Sequence, residues 1–511
     1  MPPAITRDTD APKAESPAAL HERKATPPAP HARAARPSSS SARRGPFRPG
    51  QLVPARARIE ARTLARAFRS LDSLAIALCC LAIFSMVPTL ATGAALTVGG
   101  GVLLLALRTL DAYVFARRER LGRHLMRVIA AGGGAAAAVL LVSLILPLAP
   151  TTLWTFPGLT ATLAALHGLW WGLVAHGRKQ GHLTPNVVVV GATANAQRLI
   201  EAAIRTGEVN VLGIFDDRLD RAPENILGVP MLGDTAALID HRLMPYVDRV
   251  VITVTSAAQG RVRQLVDRLD VLPNPISLFV DVGRDADSEA AVSRIADAAL
   301  ADLSGAPTDA RKAAVKRVQD LVLGSLGLVV AAPIMAIIAV AVRLDSPGPI
   351  FFRQRRHGFN NEEILVWKFR SMRHEMADAT AAQQVQANDA RVTRVGGFIR
   401  LTSLDELPQL FNVLRGEMSI VGPRPHAVGM KTGDVESAKL VAQYAHRHRM
   451  KPGVTGWAAI KGSRGPVDTP ELVRERIALD VDYIERHSFW LDLYIIAMTL
   501  PCLLGDRSVV R

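Results

Sequence analysis

Four apolar runs follow one another between residues 71 and 175, each close to the ~20 residues a helix needs to cross hydrocarbon. They cover Leu71–Gly93 ("LDSLAIALCCLAIFSMVPTLATG"), about Ala94–Ala116, about Leu125–Ala149 and about Thr151–Ala175. Four such runs in succession are unusual for buried helices of a soluble protein. The chain is therefore read as a membrane protein with four N-terminal transmembrane helices over 69–176, and its 49% hydrophobic content agrees. The second run is the weakest, because Arg108 and Asp111 lie near its end. Arginine sets the orientation. The segment before the first run, "ARRERLGRHLMR" and "HGRKQGH" are basic, and the other two connections carry no Lys or Arg. All three basic segments are expected in the cytoplasm. Trp170 and Trp171 fit an interfacial belt.

The formal net charge is +15, and residues 1–66 supply 8 of it, with 13 Lys and Arg against 5 Asp and Glu. This stretch is rich in Pro, Ala and Ser and lacks apolar periodicity. It reads as a disordered basic tail over 1–68, suited to an anionic membrane surface, and not as a secretory signal. Three cysteines, Cys79, Cys80 and Cys502, suggest neither a disulfide framework nor a zinc site, and a reducing setting.

After the spans, "NVVVVGATANAQRLIEAAI" reads as a buried strand, a glycine and a helix, and "VLGIFDD" and "RVVITVT" are further strands. This alternation predicts a Rossmann-like α/β module over 185–285. Gly191 stands without the full G-x-G-x-x-G pattern, so a structural or regulatory role is favoured over cofactor binding. A linker over 286–311 leads to a fifth apolar stretch, 318–344. Basic residues flank both its ends, from Arg311 to Arg317 and from Arg343 to Arg356, and Pro333 lies near its middle. Charge on both sides conflicts with a simple crossing, and proline bends a helix. A broken, re-entrant membrane helix satisfies both, with a kinked span as the alternative.

The last 200 residues carry dense polar motifs: "FRQRRHGFN", "VWKFRSM", "TSLDELPQL", "GEMSIVGPRPHA" and "KPGVTGW". Arg353, Arg355, Lys368, Arg370, Arg400 and Arg424 together suggest phosphate recognition, although each alone reads as a solvated charge. Adjacent acids, Asp405 and Glu406, raise each other's cost of ionisation. A divalent cation relieves that cost, and Mg²⁺ typically takes one or two carboxylates plus substrate phosphates. One acid is then free to attack phosphorus. The bland alternative is a surface acid pair at a helix start with Ser403 as N-cap.

These motifs together resemble the catalytic domain of bacterial sugar transferases, the monotopic polyprenyl-phosphate glycosyl-1-phosphate transferases. The likeness covers about 312–506 within an α-rich domain expected over 312–511. The whole architecture resembles the large enzymes that start exopolysaccharide synthesis. The resemblance implies that Asp405 is the nucleophile, that Glu406 helps hold Mg²⁺, and that Arg424 and Arg400 bind phosphates, with Lys368 and Arg370 as weaker candidates. It implies a UDP-sugar donor, UMP as product, undecaprenyl phosphate as acceptor, a lipid bilayer as the setting and the cytoplasmic face of the inner membrane as the location. "VWKFRSM", "PRPHA" and "SFWLDLYII" look most like the glucose 1-phosphate branch, with UDP-galactose as the alternative donor. The family's re-entrant helix is often bent at Ser-Pro, and here the pair is Ala332-Pro333.

Three other functions compete with this reading. A nucleotide-sugar dehydratase needs Tyr-x-x-x-Lys, and none of the five tyrosines has Lys four residues on. A non-catalytic scaffold of polysaccharide assembly needs neither the acid pair nor the arginines. Nucleic acid is not expected as a partner, because the charge lies mainly in a tail before membrane spans. Homo-oligomerisation is left open.

Overall fold

The computed structural model describes residues 52–505, except 254–258, 280–291, 293–301, 305–309, 377–388 and a few shorter gaps. The expected tail lies outside the described residues as far as 51. Its remainder is not tail. Residues 53–60 form an extended strap with one 3₁₀ turn, Ala55–Ala57, and the first helix begins at Ala61.

Four helices follow: α1 (Ala61–Met86), α2 (Leu90–Thr109), α3 (Leu121–Ser143) and α4 (Pro150–Lys179). The first expected run continued to Gly93, but Pro88 has no N–H to continue the ladder. Thr89 then starts α2, its hydroxyl accepting the Thr92 N–H at 3.1 Å. Arg108 falls in the last turn of α2 and Asp111 beyond it, so neither interrupts the apolar span. Leu103, Val128, Ala135, Phe156 and Leu163 form the bundle's centre. Gly132 permits the closest approach, since a Cβ there would collide with the Thr160 side chain.

Trp170 is not a belt residue. It is buried, stacks on Phe68 with ring centroids 4.4 Å apart, and donates its Nε1–H to Asp72 at 3.2 Å. His167 Nε2 lies 3.1 Å from the other Asp72 oxygen, and His167 Nδ1 lies 3.0 Å from His124 Nε2. This polar chain ties α1, α3 and α4 together inside the bundle, where a lone charge is costly.

The α/β module contains β1 (Asn186–Val190), α5 (Ala194–Thr206), β2 (Asn210–Phe215), β3 (Asn225–Ile226), β4 (Val229–Gly233), α6 (Thr235–Ile239), β5 (Arg249–Ile252), α7 (Gln259–Leu269), β6 (Ile276–Leu278) and β7 (Asp302–Ser304). The sheet order is β3-β4-β2-β1-β5-β6-β7, parallel from β4 to β6 with antiparallel edges. This is the expected Rossmann-like arrangement. Its last strand comes from the stretch expected to be a linker.

The strap ties the bundle, the α/β module and the C-terminal domain to one another. Arg58 pairs with Asp248 and donates to Tyr246 O at 3.0 Å. Arg56 pairs with Glu362 at 2.9 Å, in the C-terminal domain. The Ile59 N–H donates to His182 O at 2.9 Å, just after α4. Asn360, also in the C-terminal domain, donates to Met244 O and Val247 O at 2.7 and 2.9 Å.

The C-terminal domain opens with the long helix α8 (Ala310–Asp345), which continues through Pro333 without the expected break. Among the described residues, five helices, α1 to α4 and α8, are long and apolar enough to cross a membrane. One face of α8, Ala331, Met335, Ile338 and Val342, packs on Phe369, Ile399 and Leu410. Its other face exposes Val329, Val330, Ile337 and Leu344, each more than 60% accessible. Both ends are tied to the same domain. Near the start, Arg317 donates to Val413 O and Leu414 O at 2.7 and 2.8 Å, and Asp320 accepts from the Ile420 N–H at 3.0 Å. At the end, Asp345 accepts from the Val395 N–H at 2.9 Å.

Candidate active site

The site forms where a hairpin meets two short helices. Strands β8 (Phe351–His357) and β9 (Glu363–Phe369) pair antiparallel, placing Lys368 opposite Phe352. Thr393 caps α9 (Arg394–Leu401), accepting the Gly396 N–H at 3.0 Å. The chain then reverses at Ser403, whose φ of 57° is left-handed. Ser403 makes no side-chain cap, contrary to the bland expectation. A 3₁₀ turn, Leu404–Glu406, presents the acid pair, and α10 (Gln409–Arg415) follows. Leu410 of α10 packs on α8, so the turn is fixed against the long helix.

Asp405 is 8% exposed. Burial pushes its carboxyl above the usual carboxylate range, Lys368 opposes that rise, Glu406 adds to it, and Arg400 and Arg424 oppose it. Lys368 Nζ lies 2.8 Å from Glu406 Oε1 and 3.8 Å from Asp405 Oδ2. Arg424 Nη2 reaches the same Glu406 oxygen at 3.2 Å. Four residues singled out from the sequence thus meet: Lys368, Asp405, Glu406 and Arg424. Arg400, in the last turn of α9, contributes through its charge and donates to Ser371 Oγ at 3.3 Å.

Arg370 sits elsewhere. It is buried and donates to Val342 O at 3.2 Å, Ser346 O at 2.6 Å and Pro347 O. These carbonyls lie at and just beyond the end of α8, where orphan acceptors and the helix dipole favour a cation. Its guanidinium is committed to the backbone, which corrects its candidacy as a phosphate ligand. Arg353 lies 4.6 Å from the Trp367 ring centroid and Arg355 lies 3.6 Å from Glu363.

Sequence reasoning missed the support behind Arg424. Arg447 is 1% exposed, pairs with Asp480 at 2.7 Å, and donates to Arg424 O. The signal was present in "HRHRMKPG", a run of basic residues that reads as a surface patch until its burial is known.

In the α/β module, the first βα turn is already engaged. The Ala192 N–H donates to Asp216 Oδ2 at 2.7 Å, and Asp216 also accepts from the Arg218 N–H at 2.9 Å. An arriving phosphate would meet that carboxylate. The turn as it stands does not fit the pyrophosphate of coenzyme A or a dinucleotide.

Residues 311–506 match the family described as bacterial sugar transferase, and residues 108–279 match one described as CoA-binding domain. A UDP-glucose:undecaprenyl-phosphate glucose-1-phosphate transferase of Xanthomonas campestris pv. campestris is 40% identical over 70% of this chain and 74% of its own length. The Escherichia coli K12 protein of the same name is 37% identical over 63% of this chain and 68% of its own. An undecaprenyl-phosphate glucose phosphotransferase of Komagataeibacter xylinus is 49% identical over 38% of this chain and 36% of its own. With the acid pair seated against the apolar helix α8 and likeness running through most of two relatives, this chain belongs to the bacterial sugar transferase family.

Proposed function

We propose that this membrane protein transfers glucose 1-phosphate from UDP-glucose to undecaprenyl phosphate, releasing UMP, at the cytoplasmic face of the bacterial inner membrane. The reading places it at the first membrane step of exopolysaccharide synthesis. The observation that carries it is the acid pair, Asp405 buried and Glu406 half-buried, held under Lys368 and Arg424 on a turn that packs beside α8. The relatives' names supply the donor, the acceptor and the sugar.

In this mechanism the ionised Asp405 carboxylate attacks the phosphorus that bears the sugar. The bond from that phosphorus to the bridging oxygen breaks, and UMP leaves with the electron pair. An oxygen of undecaprenyl phosphate then attacks the same phosphorus and returns the carboxylate. Splitting one displacement into two is the usual gain from a covalent intermediate. Lys368 and Arg424 face charge that develops on phosphate oxygens, where fixed cations are most effective. Arg400 adds positive field to the same space.

Magnesium fits the donor chemistry. The pair offers hard carboxylate oxygens, and among the described residues no group of three or more His, Cys, Asp or Glu is placed to hold a metal ion by itself, so substrate phosphates would have to complete the shell. Two carboxylates plus substrate phosphates is a common way of holding this ion. Glu406 is its proposed ligand, and the ion would supply charge neutralisation on the diphosphate.

The test is purified protein with undecaprenyl phosphate, Mg²⁺ and a panel of UDP-sugars. UMP release with UDP-glucose is expected. Release with UDP-galactose alone would reassign the sugar, and no release from folded protein with any donor would overturn the reading.

Helix α8 is proposed to seat its apolar face in the cytoplasmic leaflet with both ends on the cytoplasmic side, without crossing. Its support is the tethering of both ends to one domain while the outward face stays apolar. Single cysteines at Arg311 and Ser346 should both resist a membrane-impermeant reagent applied from the periplasm. Labelling of either from that side means a crossing span.

A further inference from the structure

The "PRP" segment carries Arg424 to the acid pair, yet it belongs to no helix or strand. Four successive carbonyls are nevertheless all claimed, by three separate parts of the domain. Pro423 O accepts the Gly453 N–H at 2.9 Å, and Arg424 O accepts from Arg447. Pro425 O accepts from Arg356 at 2.8 Å, and His426 O accepts the His357 N–H at 3.1 Å. Three of these donors sit on or next to elements with independent anchoring. The fourth, Arg447, is a fully buried cation.

Burying a guanidinium costs several kcal/mol unless it is paired and its donors are satisfied. Arg447 meets that demand with Asp480 at 2.7 Å, itself 2% exposed, and with the ring of buried His426 at 2.6 Å. The Tyr444 hydroxyl lies 2.8 Å from His426 Nδ1, the same ring nitrogen that Arg447 approaches. An apolar side chain would fill this volume without any desolvation cost. What it would lack is a rigid fork that grips a carboxylate on the helix Pro470–Arg486 and a loop carbonyl together.

We propose that Arg447, braced by Asp480, is a positioning residue for the transfer reaction. By holding the Arg424 carbonyl it sets where the Arg424 guanidinium stands over Glu406. This rests on the reading that Arg424 serves the phosphoryl transfer. Arg447 itself touches no reacting atom, so its effect must pass through Arg424.

A double-mutant cycle separates the two claims. Full-length protein in nanodiscs is assayed for UMP release as wild type, Arg447→Met, Arg424→Ala and the double variant, with kcat and KM resolved. Arg447→Met should lower kcat/KM by about 10–100-fold, the usual scale for a lost supporting partner. In the Arg424→Ala background the same change should cost about threefold or less, because the group it orients is gone. Equal losses in both backgrounds would overturn the positioning role and leave Arg447 a structural residue. No loss from Arg424→Ala would instead sink the underlying reading of Arg424. If Arg447→Met does not fold, Arg447→Lys keeps the buried charge but not the fork. It should retain the thermal midpoint while losing kcat/KM, and full activity in that variant would overturn the proposal.

Discussion

Asp405→Asn is expected to abolish UMP release. The amide keeps the shape of the carboxyl and removes its nucleophilic charge, so the fold stays intact while the first bond-forming step is lost. Removal of a covalent nucleophile commonly costs ~10⁴-fold or more in kcat. The expected residual rate is therefore below detection in an ordinary assay. The measurement is UMP release from UDP-glucose by the variant, beside a thermal melt. A complementary one is mass spectrometry of wild-type protein quenched without acceptor, where glucose phosphate should be attached at residue 405. Activity of Asp405→Asn within tenfold of wild type would remove the covalent mechanism and revive a scaffold role.

Lys368→Met produces the next largest change, and a second signature beside the rate. Lys368 faces both acids and is the largest influence opposing the rise in Asp405's pKa. As the proposed nucleophile, Asp405 has to be ionised to attack. Its raised pKa means that activity falls on acidification at a pH above the usual carboxylate range. Removing the ammonium favours the protonated acid further, so the acid limb of kcat/KM should move to higher pH. The rate at the optimum should fall by ~10²–10³-fold, the scale for losing one preorganised charge partner in a transfer site. An acid limb that stays in place, or moves down, contradicts the assigned electrostatics whatever happens to the rate.

How much of the molecule was readable from its sequence depends on the range of the interaction. The apolar runs and the βαβ alternation are local patterns, and helices and parallel strands form nearly where those patterns lie. The acid pair was legible because its neighbours in sequence, Ser403 to Pro408, also build its turn. The end of α1 moved because the apolar run continues past Pro88, and composition alone does not see a missing N–H. Trp170 looked interfacial because its partner, Asp72, lies 98 residues away. Arg370 and Arg424 look alike as letters. One is spent on helix carbonyls and the other faces the acids, and only the path of α8 decides which. Arg447 was passed over because basic runs are normally solvated, and burial is a property of the whole domain.

The strap before α1 limits how such proteins can be recombined. Arg56 and Arg58 belong by sequence to the membrane anchor, yet their charges are balanced by Glu362 in the C-terminal domain and Asp248 in the α/β module. The anchor and the two modules that follow it are therefore not interchangeable cassettes. A chimaera joined at residue 61 would take the arginine partners away from Glu362 and Asp248, whereas one joined upstream of residue 53 would carry its own rivets with it.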